Sequence, residues 1–387
     1  MANSDIIYLD YNATAPIRPE VIEIMAEVMI EGGNPSSVHV IGRKAKSRLE
    51  EARSLIASTI NCRPQMLIFT SGGTEANNMA VLSSSKKRLI TTNSEHDSIR
   101  SAASRFNGKV DMVSIDRNGI LDIKELAEHL KSDGDDTIVS ILYANNETGV
   151  LQNIRIIADL VHDAGALLHI DAIQAFAKIE IDFMALGCDM MSLSAHKIGG
   201  PQGVGALVTY EKLSVVSPIL GGGQEVGRRG GTENIAGIAG FGMAASMVPK
   251  SLDKMEMLKL WRNQMEADLL AHSNEAIILG QNAPRLPNVS MIYMPGVLSD
   301  TQVMNFDLDK ICVSAGSACS SGRVKSSAVI KAMTGEDKIA MSTVRMSLGW
   351  ESEKEEVDRF VKCWFKQYDK KHKRQSTDIK ESSSQSA

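Results

Sequence analysis

In the stretch HIDAIQAF, Asp171 closes an apolar run and Gln174 follows three residues on; in SLSAHKIGGPQGVG, Ser194, His196 and Lys197 follow another. Alone, a carboxylate at the end of a buried run is more often a helix cap or an ion-pair partner, and a lysine there a solvated end. The pair says more. Lys197 lies 26 positions after Asp171 (197 − 171), room for one crossover between neighbouring parallel strands. A lysine and an aspartate at adjacent strand ends are what pyridoxal phosphate needs. The amine condenses with the aldehyde, and the carboxylate keeps the pyridine nitrogen protonated so that the ring accepts electrons from a substrate carbanion.

The phosphate of such a cofactor needs a cradle, and IFTSGGTEANNMAV has the form of one: a strand, then Ser71, Gly72, Gly73 and Thr74, then a helical segment. Backbone N–H groups at a helix N-terminus, aided by a threonine hydroxyl, bind anions. The same stretch also reads as a glycine-rich turn capped by threonine. Neither GxGxxG nor GxxxxGK[ST] occurs, which weakens nucleotide readings. His96 follows the run RLITT. Most single histidines are surface or satisfied core residues, but one lying over a cofactor ring would stack on it and move protons, its ordinary pKa of about 6.5 suiting that work. In VSAGSACSSGRVKSS, Cys319 stands among small residues with no second cysteine close by. By itself this is an exposed Ser/Gly loop with an incidental thiol.

The elements that must position these residues are legible from apolar rhythm. Between about residues 65 and 210, QMLIFT, RLITT, KVDMVSI, TIVSILYA, ALLHI, CDMMSLS and GVGALVTY read as buried strands, separated by helical patterns such as Asn153–Ala164. That alternation predicts an α/β fold, a mainly parallel sheet with helices on both faces, whose ligand lies beyond the carboxyl ends of the strands. A long helical pattern at Leu252–Ser273 leads toward a smaller α+β unit with strand-like NVSMIYM, KICVSA and TVRMSLG. The expected organisation is an N-terminal segment (1–15) packing with the small domain, a large domain (16–255), a small domain (256–370) carrying the Cys319 loop, and a charged, serine-rich tail (371–387) without structure.

Composition narrows the function classes. With 387 residues, a net charge of -5 and 43% hydrophobic residues, the chain can build two cores and lacks the basic footprint of a nucleic-acid binder. Five scattered cysteines (Cys62, Cys188, Cys312, Cys319 and Cys363) without CxxC pairs argue against a disulfide framework or a zinc site, and no metal is expected. Cys188, Cys312 and Cys363 adjoin apolar positions and read as small buried hydrophobes. The N-terminus shows no secretory or transit pattern and no apolar run approaches about 20 residues, so a cytoplasmic protein is expected.

YLDYNATAP, GNPSSVH, SGGTEANN, SEHDS, NNETGVLQ, HIDAIQAFAK, SAHKIGGPQGVGAL, GGGQEVGRRGGTENIAG, SAGSACSSG and RMSLGW occur in the order seen in cysteine desulfurases of the NifS/IscS group. The resemblance covers Tyr8–Trp350 and implies a fold-type I, pyridoxal-phosphate-dependent homodimer of the class V aminotransferase type. By that likeness Lys197 resembles the Schiff-base lysine, Asp171 the pyridinium partner, Gln174 the donor to the ring's phenolic oxygen, and His96 the stacking histidine. Gly73, Thr74, Ser194 and His196 match the phosphate cradle, joined by Thr232, which in the family reaches across the dimer interface. Asn146 is similar to the asparagine beside ring and substrate, and Arg345, with Asn34, to the anchor of the substrate carboxylate.

Cys319 is similar to the cysteine that takes sulfur from L-cysteine as a persulfide, leaves alanine, and passes the sulfur to an acceptor such as an iron–sulfur scaffold protein. The long SAGSACSSG form resembles the first desulfurase group. Trp350 and Val226 stand where the family commonly has arginine, which puts the acceptor in doubt more than the reaction. A selenocysteine lyase, another class V aminotransferase or kynureninase-like enzyme, and a non-catalytic binding protein on the same fold are the rival readings.

Overall fold

The computed structural model describes residues 5–213, 215–316 and 327–384, with side chains to residue 371. The chain enters through a short strand, β1 (Ile7–Tyr8), and then builds a seven-stranded sheet from β2 (Leu67–Thr70), β3 (Arg88–Thr92), β4 (Lys109–Val113), β5 (Thr137–Leu142), β6 (Leu167–Asp171), β7 (Met190–Ser194) and β8 (Gly205–Thr209). Its order is β2-β8-β7-β6-β5-β3-β4, and only β8 runs antiparallel to its neighbours. Every residue of β5 and β7 is buried, as covering both faces of a sheet requires, and this is why their sequences read as continuous apolar runs.

The crossover helices bury one stripe each. In Ile154–Asp163 the buried residues Ile154, Ile157, Ala158 and Val161 follow helical spacing, and Asn153 caps the start by accepting from the Ile156 N–H at 3.3 Å. The core of the large sheet draws on Val139, Ile170, Phe176, Phe183 and Phe241.

Four later strands follow: β9 (Ile277–Ile278), β10 (Val289–Tyr293), β11 (Ile311–Cys312) and β12 (Thr343–Ser347). β9, β10 and β12 make an antiparallel sheet, while β11 pairs in parallel with β1. A bridge from Asp10 to Ser347 holds the N-terminal segment to β12. This region has its own core, including Leu9, Phe306, Phe360 and Trp364. The helix Val248–His272 joins the two: Val248 belongs to the first core, and Met255, Leu258, Met265 and Leu269 to the second.

The last helix, Lys354–Ser384, corrects the expectation of an unstructured tail. Val357, Phe360, Val361 and Trp364 anchor its first half on the second core. Beyond them no proline or glycine interrupts a run whose lysines, arginine and glutamine lose little rotamer freedom in a helix. No single helix among the described residues is long and apolar enough to cross a membrane.

Trp364 is fully buried and stacks on Tyr368 at 5.3 Å, close to the Phe306–Phe360 stack. Trp364→Ala should therefore cost about 3–5 kcal/mol of stability, read as a lowered midpoint of urea unfolding.

Candidate active site

The parallel strands deliver their carboxyl ends to one edge of the large sheet, and a cavity of about 320 Å³ opens there. It is lined by Gly73 and Thr74 after β2, His96 after β3, Leu142 at the end of β5 and Asn146 beyond it, Asp171, Ile173 and Gln174 at β6, and Ser194, His196 and Lys197 at β7, with Asn12, Ala13, Gly316 and Arg345 closing the other side. Ten of the residues singled out from sequence thus line one cavity. β6 and β7 are direct neighbours in parallel register, with Asp171 opposite Ser192, so the single-crossover reading of the Asp171–Lys197 spacing is what the chain adopts.

Asp171 Oδ2 accepts from Asn77 Nδ2 at 2.7 Å, and Oδ1 from the Ile173 N–H at 3.0 Å. Burial pushes its carboxyl above the ordinary range; His96, the Asn77 and Ile173 hydrogen bonds and Lys197 pull the other way without cancelling it. His96 caps the helix Asp97–Ala103, its Nδ1 accepting from the Ser98 N–H at 3.1 Å, so Nε2 carries the proton of the neutral ring. Lys197 Nζ donates to the carbonyls of Asn12 and Ala13 at 2.6 and 2.7 Å. His196 pairs with Thr14 Oγ1 at 3.1 Å; burial, with Lys197 and Lys178 nearby, pushes it down to about 4, so it is neutral at physiological pH.

These residues fit pyridoxal phosphate. Ser194 Oγ is buried at the cavity wall and lacks a hydrogen-bond partner among the described residues, as suits a donor to an anion. The helix Gly73–Leu82 begins at the same place, and a Cβ on Gly73 would lie 2.2 Å from Ile173 Cδ1, so a larger residue there would push the Ile173 side chain from its place at the cavity wall. The desolvated Asp171 carboxylate suits a protonated ring nitrogen. Arg345, buried, donates to the Asn146 carbonyl at 3.1 Å and to Asp10 Oδ1 at 2.7 Å, while its Nε is without a partner among the described residues, leaving guanidinium capacity for a carboxylate.

Two residues do not join the cavity of this chain. Asn34 is exposed between two helices, its Oδ1 accepting from the Ser36 N–H at 2.9 Å in a local turn, and it does not line the cavity. Thr232 is likewise exposed and away from the cavity. Cys319 lies outside the described residues.

Sequence reasoning missed a layer of support. Lys178, fully buried and pushed well below the ordinary lysine range by burial, donates to Asn12 Oδ1 at 2.8 Å and to Gln174 Oε1 at 2.6 Å. Gln174 Nε2 in turn donates to the Asn12 carbonyl at 2.9 Å. Asn12, Asn77 and Lys178 lie inside the motifs YLDYNATAP, SGGTEANN and HIDAIQAFAK, so the signal was their membership of those motifs. Glu95, in SEHDS, is a fourth: its Oε1 accepts from the Leu142 N–H at 3.0 Å and Thr92 Oγ1 at 2.9 Å, joining the ends of β3 and β5 beside His96.

The model of the class-V aminotransferase family matches residues 7–360. This chain belongs to that family. It is 35% identical over 363 residues to the cysteine desulfurase IscS of Dictyoglomus turgidum, covering 91% of this chain and 92% of that one. The NifS-like protein of Rickettsia africae superposes with a TM-score of 0.87 at 34% identity, over 94% of this chain and 99% of that one. SspA, solved in complex with cysteine, superposes with a TM-score of 0.76 at 28% identity, over 89% and 99%. The fold is accordingly that of fold-type I pyridoxal-phosphate enzymes, and the chain depends on that cofactor.

Burial pushes the Glu95 carboxyl up to about 8, so the folded protein holds a proton that an unfolded glutamate, titrating near about 4.3, has released. The folded state is therefore penalised progressively as pH rises through that window, with the full penalty above it. Glu95→Gln keeps the size and removes the titration. Urea unfolding at about pH 5 and about pH 8 should show stability shifting in favour of the variant at the higher pH.

Proposed function

We propose that this cavity removes sulfur from L-cysteine, with Cys319 as the acceptor. The observation that carries the reading is the meeting of Lys197 and Asp171 with Arg345 and Gly316 in one cavity. When bound there, pyridoxal phosphate supplies an electron sink for the pair left at a substrate Cα. The chain's own residues do the rest. Arg345 and Asn146 hold the substrate carboxylate, Asp171 keeps the ring nitrogen protonated, Gln174 donates to the phenolic oxygen, and Gly73, Thr74, Ser194 and His196 take the phosphate. Lys197 Nζ removes the Cα proton, and His96 stacks on the ring and moves protons through Nε2.

Cys319 Sγ forms a bond to the substrate sulfur as the substrate C–S bond breaks, and the carbon fragment leaves, after protonation, as alanine. Cys319 is three positions after Gly316 at the cavity wall, so covalent geometry keeps the two Cα atoms within about 11 Å. The four described cysteines are poor rivals. None lines the cavity, and burial is the main force pushing each thiol up, Cys62 to about 12 and Cys363 to about 11.

The persulfide then passes to an acceptor protein, an iron–sulfur scaffold being the kind the resemblance implies. We infer a homodimer in which Thr232 serves the partner's phosphate cradle; its exposure, and that of Leu220 and Val226 in the same loop region, both 86% exposed, supports this. The division into domains at 255/256 is supported by the change of core between Leu252 and Met255. A cytoplasmic setting suits the free thiols of Cys62, Cys188, Cys312 and Cys363.

Incubation with L-cysteine followed by peptide mass spectrometry should find one added sulfur on the Cys319 peptide. Cys319→Ala should lower sulfide release at least about 100-fold. Undiminished turnover of L-cysteine by that variant would reject the persulfide role and favour a selenocysteine lyase.

A further inference from the structure

Glu147 stands outside the chemistry just described, yet it is buried at the cavity's edge, one residue after Asn146. Its backbone is set by Asn145, whose Oδ1 accepts from the Glu147 and Thr148 N–H groups at 2.9 and 3.0 Å. One side-chain oxygen, Oε2, then meets two distant parts of the chain. Ser327 Oγ donates to it at 2.5 Å while capping the helix Ala328–Thr334 by accepting from the Ile330 N–H at 3.1 Å. Gly316, at φ +81°, packs so closely against it that a Cβ there would lie 2.9 Å from Oε2 and 2.7 Å from Met291 Cε. Gly316 and Ser327 are the residues on either side of 317–326, which include Cys319.

The same oxygen is linked to the substrate end of the cavity through the backbone. Arg345 N donates to the Ser314 carbonyl at 2.7 Å and Ser314 N to the Arg345 carbonyl at 3.2 Å, two residues before Gly316. Arg345 Nη1 returns to the Asn146 carbonyl. Asn146, Glu147, Gly316, Ser314 and Arg345 thus close a circuit, and Ser327 is attached to it at Glu147. Tying two chain ends to one group reduces the volume the intervening residues sample, and so raises the concentration of any group they carry at a nearby point.

We propose that Glu147 is a positioning residue that fixes both ends of the segment bearing Cys319 and ties them to Arg345 and Asn146. This rests on the reading of Cys319 as sulfur acceptor. Glu147 touches neither substrate nor cofactor; its contribution is to the sulfur-transfer step, because neither Glu147 nor Ser327 bonds to Lys197, and saturating L-alanine in the exchange assay removes any effect passed through carboxylate binding at Arg345 and Asn146. Ser327 is the second half of the tie, so loss of its hydroxyl acts in the same direction as loss of the carboxylate.

The test separates the two steps on cofactor-loaded, full-length protein. Exchange of the L-alanine Cα proton with solvent deuterium reports proton removal without a sulfur acceptor; single-turnover appearance of persulfide on Cys319 reports the transfer. Glu147→Leu and Ser327→Ala should slow persulfide formation by about 10- to 100-fold, the scale of a misplaced reacting group. Both should leave Cα exchange within about twofold of the parent. Glu147→Gln, which keeps an acceptor for Ser327, and Ser327→Thr, which keeps the hydroxyl, should restore most of the transfer rate.

Parallel loss of exchange and transfer in Ser327→Ala, or unchanged transfer in both disruptive variants, overturns the proposal. Failure of the acceptor reading shows itself differently: Cys319→Ala would then release sulfide at the parent rate with Glu147 untouched.

Discussion

A carboxylate taken out of water at the end of a strand is the constraint around which the cavity is organised. Removing Asp171 from solvent costs several kcal/mol unless charge and hydrogen bonds replace the lost hydration, on the scale of about 2–7 kcal/mol even for neutral polar groups. Asn77 and the Ile173 N–H supply part of that replacement. A protonated ring nitrogen would supply the part that neutral donors cannot. Asn77 belongs to the helix whose first residue is Gly73, and Gly73 packs on Ile173, two residues past Asp171. The helix that satisfies the carboxylate from its second turn therefore also presents its N-terminus to the same cavity, so that one rigid element would serve both ends of a bound cofactor.

The opposite wall depends on Asn12, where the two cores meet. Its N–H donates to Ser347 Oγ at 3.0 Å, its side chain to the Asn146 carbonyl at 3.2 Å, and its own carbonyl receives both Gln174 and Lys197. Asn288, just before β10, reaches Asn12 Oδ1 at 3.3 Å. A shift of the second core against the large sheet would therefore be felt at Lys197 directly. The pairing of β1 with β11 and the Asp10–Ser347 bridge hold that arrangement in register.

Much of the fold was legible because parallel strands buried on both faces leave continuous apolar runs. All seven runs between residues 65 and 210 are strands of the large sheet, and the helix placed at 153–164 is Ile154–Asp163. Strand order was not legible: the antiparallel insertion of β8 between β2 and β7 is set by long-range packing, and no local pattern in GVGALVTY distinguishes it from its parallel neighbours. The extension of the last helix through the polar tail was missed for a related reason. Low hydrophobicity removes the packing signal, while backbone propensity, which the tail retains, leaves no periodic mark.

The site divides along the same line. Residues that must face a ligand were visible, since polar groups just past buried runs have no other reason to collect at one sheet edge. Residues that serve those residues were hidden, because each has a respectable alternative life. Asn34 is the converse case, a polar residue whose amide oxygen caps its own turn outside the cavity. Lys178 shows the limit most clearly. Four positions after Gln174, it has the spacing of an ordinary solvated lysine, and charge alone argues against burying it. It is buried nonetheless, with its amine shared between Asn12 and Gln174, and burial favours its neutral form. Lys178 holds Gln174 by its Oε1 and the Asn12 carbonyl holds it by Nε2, so the amide is fixed from both ends at the cavity wall. Those partners are what permit a lysine to be buried where charge alone argues against it, and they come from 166 and 4 positions away in the chain, a pairing that no local spacing reveals.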